Sequence, residues 1–319
     1  MNQEAAQIHP YRIVNDGTSR SDWLNSRHIG IGASEVPILF DLVIWGDPLT
    51  LYAEKRGEMS HEEPADRQIL DWGTDCQESI IRYLHRQTGE KIDSNQALFQ
   101  SIEYPWLVCT PDAIVDPLGA EEPCEVKVQT FGYNESEWTD GIPEKFRVQC
   151  QTQMIVTQKP RCLFGASIWG KSPIWCWYPW DDVLARQIIH KTKRFWDQVK
   201  AGTPPESNGS EMARKTAFAL ANREPETVEL YTGEIEGLLD AWNHAHEVES
   251  RAKAEAKLYE KKRKASEDAL ILKMGSAERA ITSDGWVFMK THSERRNQAK
   301  PASVTKIEGF KVIPPKGDE

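Results

Sequence analysis

Residues 110–130 read "TPDAIVDPLGAEEPCEVKVQT", two strand-forming runs joined by a loop from Pro117 to Pro123 that carries both Gly and Pro. A hairpin of this kind sets Asp112 near one strand and Glu125, Val126 and Lys127 on the next. Alternate side chains of a strand share a face, so Glu125 and Lys127 point one way while Val126 packs behind them. Two acids well separated in sequence thereby become neighbours in space. Converging carboxylates repel unless a divalent cation lies between them, and hard oxygen donors suit Mg²⁺ or Mn²⁺. A lysine beside them orients a water and neutralises charge that builds on phosphorus. Plain amphipathic alternation also produces an E-V-K strand, so the motif needs support from its surroundings.

Upstream, "WLNSRHIGIGASEVPILF" (residues 23–40) is a Gly-rich turn running into a helix whose N-cap is read as Ser34. Helix N-termini offer free N–H groups to anions, and Arg27 lies within folding reach of the same spot. "GIGAS" matches neither the dinucleotide fingerprint nor the Walker loop. "DRQILDWGTDCQESIIRYLHRQTG" reads as a helix closed by Gly89. Downstream, "FRVQCQTQMIVTQ" is helical in pattern, with Gln149 and Gln153 one turn apart on one face and Gln151 turned elsewhere. Glutamines are ordinarily surface residues, but here the helix can bring an amide to the acids. "YPWLVCTPDAIV" and "RCLFGASIWGKSPIWCWYPW" supply further strands, the latter pair turned at Gly170–Pro173, and the aromatic strand "IWCWYPW" reads as core. The order of elements is that of an α/β domain, a mixed central sheet flanked by helices.

The chain has 319 residues, 39% of them hydrophobic, with 12 Trp, enough for one large core or two. No run of 18 apolar residues occurs, and the first residues lack the plan of a signal peptide, so a cytoplasmic location without membrane contact is expected. The six cysteines contain no CxxC pair, which argues against zinc and iron–sulfur sites; they read as small buried residues. Net charge is -10, yet residues 251–316 hold 16 Lys and Arg against 8 Asp and Glu, a local +8. Such a segment suits nucleic acid, and equally a solvated helix. "GTPPESNGS" (202–210) reads as a linker, giving domains 1–205 and 206–319. In the second, residues 233–274 suggest one long helix or a helical hairpin, two strands turn around Ser283–Gly285, and the tail from Gln298 reads as loosely held. His244 and His246, two apart on that helix, fall on different faces and are not read as metal ligands.

Taken together, Trp23 and Arg27 spaced W-x₃-R, then "GASEV", "WGTDCQE", "CTPDAIV", "EVKV" and "FRVQCQTQMIVT" resemble the lambda-exonuclease-like, YqaJ-type branch of the PD-(D/E)XK nucleases in order and spacing. The resemblance covers roughly residues 20–180 and implies the PD-(D/E)XK nuclease core, followed by a mainly helical C-terminal extension. It implies that Asp112, Glu125 and the Val126 carbonyl bind Mg²⁺, with Mn²⁺ as a substitute, that Lys127 activates the attacking water, and that Gln149 completes the site. Arg27, Ser34 and Thr110 fall where the family grips a terminal 5′-phosphate. The helix after "WG" normally supplies a glutamate at the position of Gln77. Either the Gln77 amide stands in, or a local shift brings Glu78 to the site; on an ideal helix Glu78 is turned about 100° away, which favours Gln77. The activity so implied is a Mg²⁺-dependent 5′-to-3′ exonuclease on double-stranded DNA ends. It would release mononucleotides and leave 3′ single strands for phage-type recombination. A homotrimeric ring, a single-strand annealing partner and a phage or prophage origin in a bacterial cell are implied likewise. The alternatives are an endonuclease or helicase-associated nuclease of the same fold, or an inactive DNA-binding module.

Overall fold

The computed structural model describes residues 9–59, 67–116, 121–129, 135–168, 172–221, 232–296 and 304–313. The chain runs β1 (Tyr11–Asn15), α1 (Arg20–Ser26), β2 (Ile31–Gly32), α2 (Pro48–Lys55), α3 (Arg67–Thr88), β3 (Ile92–Ser94), β4 (Leu98–Ser101), β5 (Leu107–Cys109) and β6 (Ala113–Val115). It continues with β7 (Glu122–Gln129), α4 (Glu144–Thr157), β8 (Arg161–Ile168), β9 (Ile174–Pro179), α5 (Asp182–Ala201), α6 (Glu211–Leu220), α7 (Thr232–Met274), β10 (Arg279–Ile281), β11 (Val287–Arg296) and β12 (Val304–Ile313). Among the described residues no helix is long and apolar enough to cross a membrane.

The opening motif does form a hairpin: β6 and β7 pair antiparallel with Ala113 opposite Cys124, and the Asp112 N–H donates to the Cys124 carbonyl at 3.0 Å. They belong to a mixed five-stranded sheet, β3-β6-β7-β8-β9, in which β7 and β8 are parallel. Val126 is buried against Ile80, Ile81 and Leu84 of α3 on one face, while Glu125 and Lys127 turn to the other, where α4 lies. Helices thus cover both faces, as expected.

The sheet is in two parts, however. "YPWLVCTPDAIV" holds two strands that separate: β5 stays in a four-stranded sheet, β1-β4-β5-β2, and β6 enters the five-stranded one. The chain crosses between them at Thr110–Asp112, where Pro111 has no N–H to continue a ladder. Asn95 ties the crossing down, its Nδ2 donating to the carbonyls of Pro111 and Ala97 and its N–H to that of Asp112. α4 lies between the parts, with Cys150 and Met154 against β8, and Val148, Ile155 and Val156 in the core shared with β5 and α5. A helix enclosed in this way buries Gln149, Gln151 and Gln153, contrary to the surface habit of glutamine.

Several expectations need correction. "SEVPILF" is a five-residue 3₁₀ segment, Val36–Phe40, preceded by Glu35 rather than capped by Ser34, and Asp41 ends it in the left-handed region at φ 56°. No full helix N-terminus therefore faces Arg27. Cys109, Cys124, Cys150 and Cys162 are buried, but Cys176 is exposed and Cys76 half-buried. β9 is an edge strand, so "IWCWYPW" is only partly core: Ile174 is exposed, while Trp175 and Trp177 pack on the α3 side. α5 was not anticipated. Asp181 caps it through the N–H groups of Val183 and Leu184, and it sends Ile188, Phe195 and Val199 into the core.

Contacts divide the chain into Met1–Glu224 and Pro225–Glu319, not at residue 205. The reason is α6, which packs on α2 with Ala213 and Thr216 buried and the Thr216 and Thr50 hydroxyls 2.6 Å apart. In the second unit α7 is one continuous helix with an exposed surface. β10 and β11 turn at Gly285, φ 87°, as anticipated. Within the tail, Val304–Ile313 is not loose, because as β12 it pairs with β11 along its length; residues 298–303 and 314–319 lie outside the described residues.

Candidate active site

Asp112 stands where β5 gives way to β6, and its carboxylate reaches across the hairpin: Oδ2 accepts from the Val126 N–H at 2.7 Å. Glu125, 1% exposed, sits one residue earlier on β7. Its Oε1 accepts from Gln149 Nε2 at 2.7 Å and meets the Lys127 ammonium, while Oε2 accepts from Gln153 Nε2. Lys127 Nζ also lies 5.5 Å from the centre of the Phe146 ring on α4.

Electrostatics bind these groups together. Burial, and then Glu125 beside it, push the Asp112 carboxyl up to about 7, against the pull of Lys127 and the Val126 N–H. Burial pulls the Lys127 ammonium down, but Glu125 and Asp112 outweigh it and hold the lysine above its usual range. One cation thus balances two closely set acids.

Gln77 on α3 approaches from the opposite face of the sheet, its Nε2 donating to the Asp112 main-chain carbonyl at 3.4 Å. Glu78 turns aside and accepts from the Ser94 hydroxyl at 2.6 Å. Of the two, Gln77 is the one next to Asp112, through an amide N–H and not a carboxylate. Among the described residues no group of three or more His, Cys, Asp or Glu side chains could hold a metal ion. The side-chain oxygens that face one another are the carboxylates of Asp112 and Glu125.

Two residues before Asp112, a second cluster begins. Thr110 Oγ1 accepts from Trp23 Nε1 at 3.2 Å, and the Arg27 guanidinium lies over the Trp23 ring, 5.1 Å from its centre. Arg27 is not an ordinary surface arginine: Nη2 pairs with Glu35 Oε1 at 2.6 Å. The other oxygen of Glu35 takes the Lys55 ammonium and the Gly32 N–H, both at 2.7 Å, and Lys55 also donates to the Arg27 carbonyl at 2.9 Å. Ser34 lies exposed on the same turn. The structure therefore brings together Asp112, Glu125, Val126, Lys127 and Gln149, and beside them Arg27 and Thr110. Ser34 shares the turn without joining that network.

Glu35, Lys55 and Gln153 were missed as members of these clusters. An acid before the apolar run "VPILF" was a usable signal for Glu35, and the four-residue spacing from Gln149 for Gln153. Nothing in the sequence marks Lys55, which α2 delivers from a distance.

Residues 22–160 match the model of the YqaJ-like viral recombinase domain, in line with the order of the motifs there. Among curated proteins, the uncharacterized protein YqaJ of Bacillus subtilis (strain 168) is 27% identical over 259 residues, covering 76% of this chain and 80% of that protein. Among solved structures, an alkaline exonuclease from Laribacter hongkongensis superposes with a TM-score of 0.48 at 20% identity, over 63% of this chain and 99% of that one. The same enzyme in complex with dAMP gives 0.47 at 18% identity, over 62% and 98%.

Proposed function

We propose that this protein is a DNA nuclease, and that it is a Mg²⁺-dependent exonuclease which degrades one strand of duplex DNA from a 5′ end and leaves a 3′ single strand for recombination. The observation that carries this reading is the pairing of two clusters two residues apart along one chain crossing. Asp112, Glu125 and Lys127 form a site for phosphodiester chemistry, and Arg27, Trp23 and Thr110 form an anchored cationic site beside it. The match of residues 22–160 to the YqaJ-like viral recombinase domain supports the same reading.

The donor set fits Mg²⁺. Asp112 is desolvated beside a second carboxylate, a repulsion that a hard divalent cation relieves, and the converging atoms are oxygens. Asp112, Glu125 and the Val126 carbonyl would hold the ion, which supplies Lewis-acid polarisation and an acidified water when bound. Lys127 orients the attacking water and neutralises charge that develops on the phosphoryl oxygens. Gln149 holds one oxygen of Glu125. Arg27 holds a terminal phosphate while Glu35 fixes the guanidinium, and each cut resets the register for the next. A ring of three subunits and a single-strand annealing partner belong to this proposal through the family resemblance.

The test is digestion of linear duplex DNA with and without Mg²⁺, comparing 5′-phosphoryl with 5′-hydroxyl ends. Metal-dependent release of mononucleotides, faster from phosphorylated ends, is the expected result. Cleavage of closed circular DNA at an equal rate would replace the exonuclease by an endonuclease.

A further inference from the structure

α4 aims a second buried amide at Glu125. Gln153 lies one turn beyond Gln149 and is 0% exposed. Its Nε2 donates to Glu125 Oε2, and its Oε1 accepts from the Cys162 thiol at 3.7 Å. An ionised carboxylate only accepts, so the NH₂ group faces Glu125 and the carbonyl oxygen turns to Cys162, whose thiol also lies 3.7 Å from the Leu163 carbonyl. Cys162 is itself 0% exposed on β8, the strand parallel to β7, so the whole relay is enclosed.

The two oxygens of Glu125 are held differently. Oε1 has Gln149 and Lys127, whereas among the described residues the hydrogen-bond donor to Oε2 is Gln153. The terminal torsion of a glutamate has a broad, shallow profile, so one anchored oxygen leaves the carboxylate plane free to turn. A carboxylate has about four lone-pair positions, and two anchored oxygens still leave positions for a cation. Loss of Gln153 would leave a buried anionic oxygen short of a donor and let the plane swing towards Lys127.

We propose that Gln153 is a positioning residue that fixes the Glu125 carboxylate for the divalent cation. The inference rests on the nuclease reading given above. It adds a residue that never touches substrate, and assigns it to metal affinity.

The experiment uses the full chain without DNA: Mn²⁺ is titrated in and the free-ion electron paramagnetic resonance signal is followed, alongside the Mg²⁺ dependence of duplex cleavage. Gln153→Met keeps the length of the side chain and removes both polar atoms. Gln151→Met is the control, since Gln151 lies on the same helix, is also 0% exposed, and spends its Oε1 on the Asp181 N–H at 2.9 Å. Both variants should lose comparable resistance to urea. Gln153→Met should bind Mn²⁺ about 10- to 100-fold more weakly, the usual effect of removing a group that orients a metal ligand, and should need correspondingly more Mg²⁺ for half-maximal cleavage. Gln151→Met should bind Mn²⁺ as the parent does. If Gln153→Met fails to fold, Gln153→Asn keeps an amide too short to reach Glu125 and should weaken Mn²⁺ binding in the same sense. Parent-like Mn²⁺ affinity in the folded Gln153 variant, or an equal weakening in Gln151→Met, would overturn the proposal while metal-dependent cleavage by the parent left the nuclease reading standing. A parent chain that takes up no Mn²⁺ and cuts nothing would overturn both.

Discussion

On the nuclease reading proposed above, Lys127 is the residue whose loss would separate chemistry from binding. Its ammonium contacts Glu125 and is held charged by two acids, so on that reading it would serve the charge of the transition state more than the docking of a duplex. Lys127→Ala should slow strand degradation by roughly 10²–10³-fold, the usual effect of deleting one preorganised electrostatic group, with duplex affinity little changed. Single-turnover cleavage measured beside filter binding separates the two, and near-parent cutting would remove Lys127 from the site. At Glu35 the consequence is one of stability. Burial opposes its charge, but Lys55, Arg27 and the Gly32 N–H together lower the carboxyl from 4.5 to about 2. A depressed carboxylate contributes stability that is present above its unfolded value and is lost as pH falls through the folded one, here across pH 4.5 to 2. The shift of about 2.5 corresponds to about 3 kcal/mol. Lys55 is itself pulled below the usual lysine value, chiefly by burial, so removing Glu35 also strands a buried ammonium. Glu35→Gln should therefore be about 3–5 kcal/mol less stable than the parent at pH 7, and the gap should narrow by pH 3 in urea melts.

At the scale of the element, the position of the β7 carboxylates depends on how closely α3 seats on the sheet. Gly165 of β8 lies beneath Leu84, and a Cβ there would stand 2.8 Å from Leu84 Cδ1 and 3.2 Å from Cδ2. Leu84 is 0% exposed, so it has no solvent to move into. Gly165→Ala should cost about 1–3 kcal/mol through overpacking, measurable as a lowered urea midpoint with an unchanged slope. Gln77 and Leu84 lie seven positions apart on one helix, so the same push should also draw Gln77 away from the Asp112 carbonyl. Unaltered stability would mean that Leu84 repacks without strain.

For the whole molecule the open matter is the basic stretch of the second unit. Arg263 pairs with Glu267 and Lys264 with Glu260 along α7, and Lys262 lies 5.0 Å from the centre of the Tyr259 ring. Cations engaged within their own helix have less to gain from phosphates than free ones. Neutralising Lys261, Lys262, Arg263 and Lys264 together should then lower the log-log salt slope of duplex binding by less than about 1, where four phosphate contacts would lower it by about 3.6. Binding isotherms over a range of salt without Mg²⁺ decide between the two. The larger drop would make α7 a track for the DNA backbone.

Local chemistry alone fixed much of the fold and most of the site. Period-two alternation set Glu125 and Lys127 on one face of β7 with Val126 behind them, because a strand permits no other arrangement. The breaker Gly89 ended α3 where a left-handed residue was required, and the four-residue spacing of Gln149 and Gln153 put both amides on one face of α4. What tertiary structure decided is what each face meets. No periodicity records that β5 and β6 part at Pro111 into different sheets, that α4 is enclosed between them so that three glutamines are buried, or that α6 returns to α2 and carries the boundary past residue 205. The same holds for Lys55, brought to Glu35 from twenty residues away, and for Cys162, which meets an amide on a neighbouring element. A sequence states which residues share a face through bonds along the chain. Which partner that face buries depends on packing between segments far apart in the chain, and only the closed core fixes it.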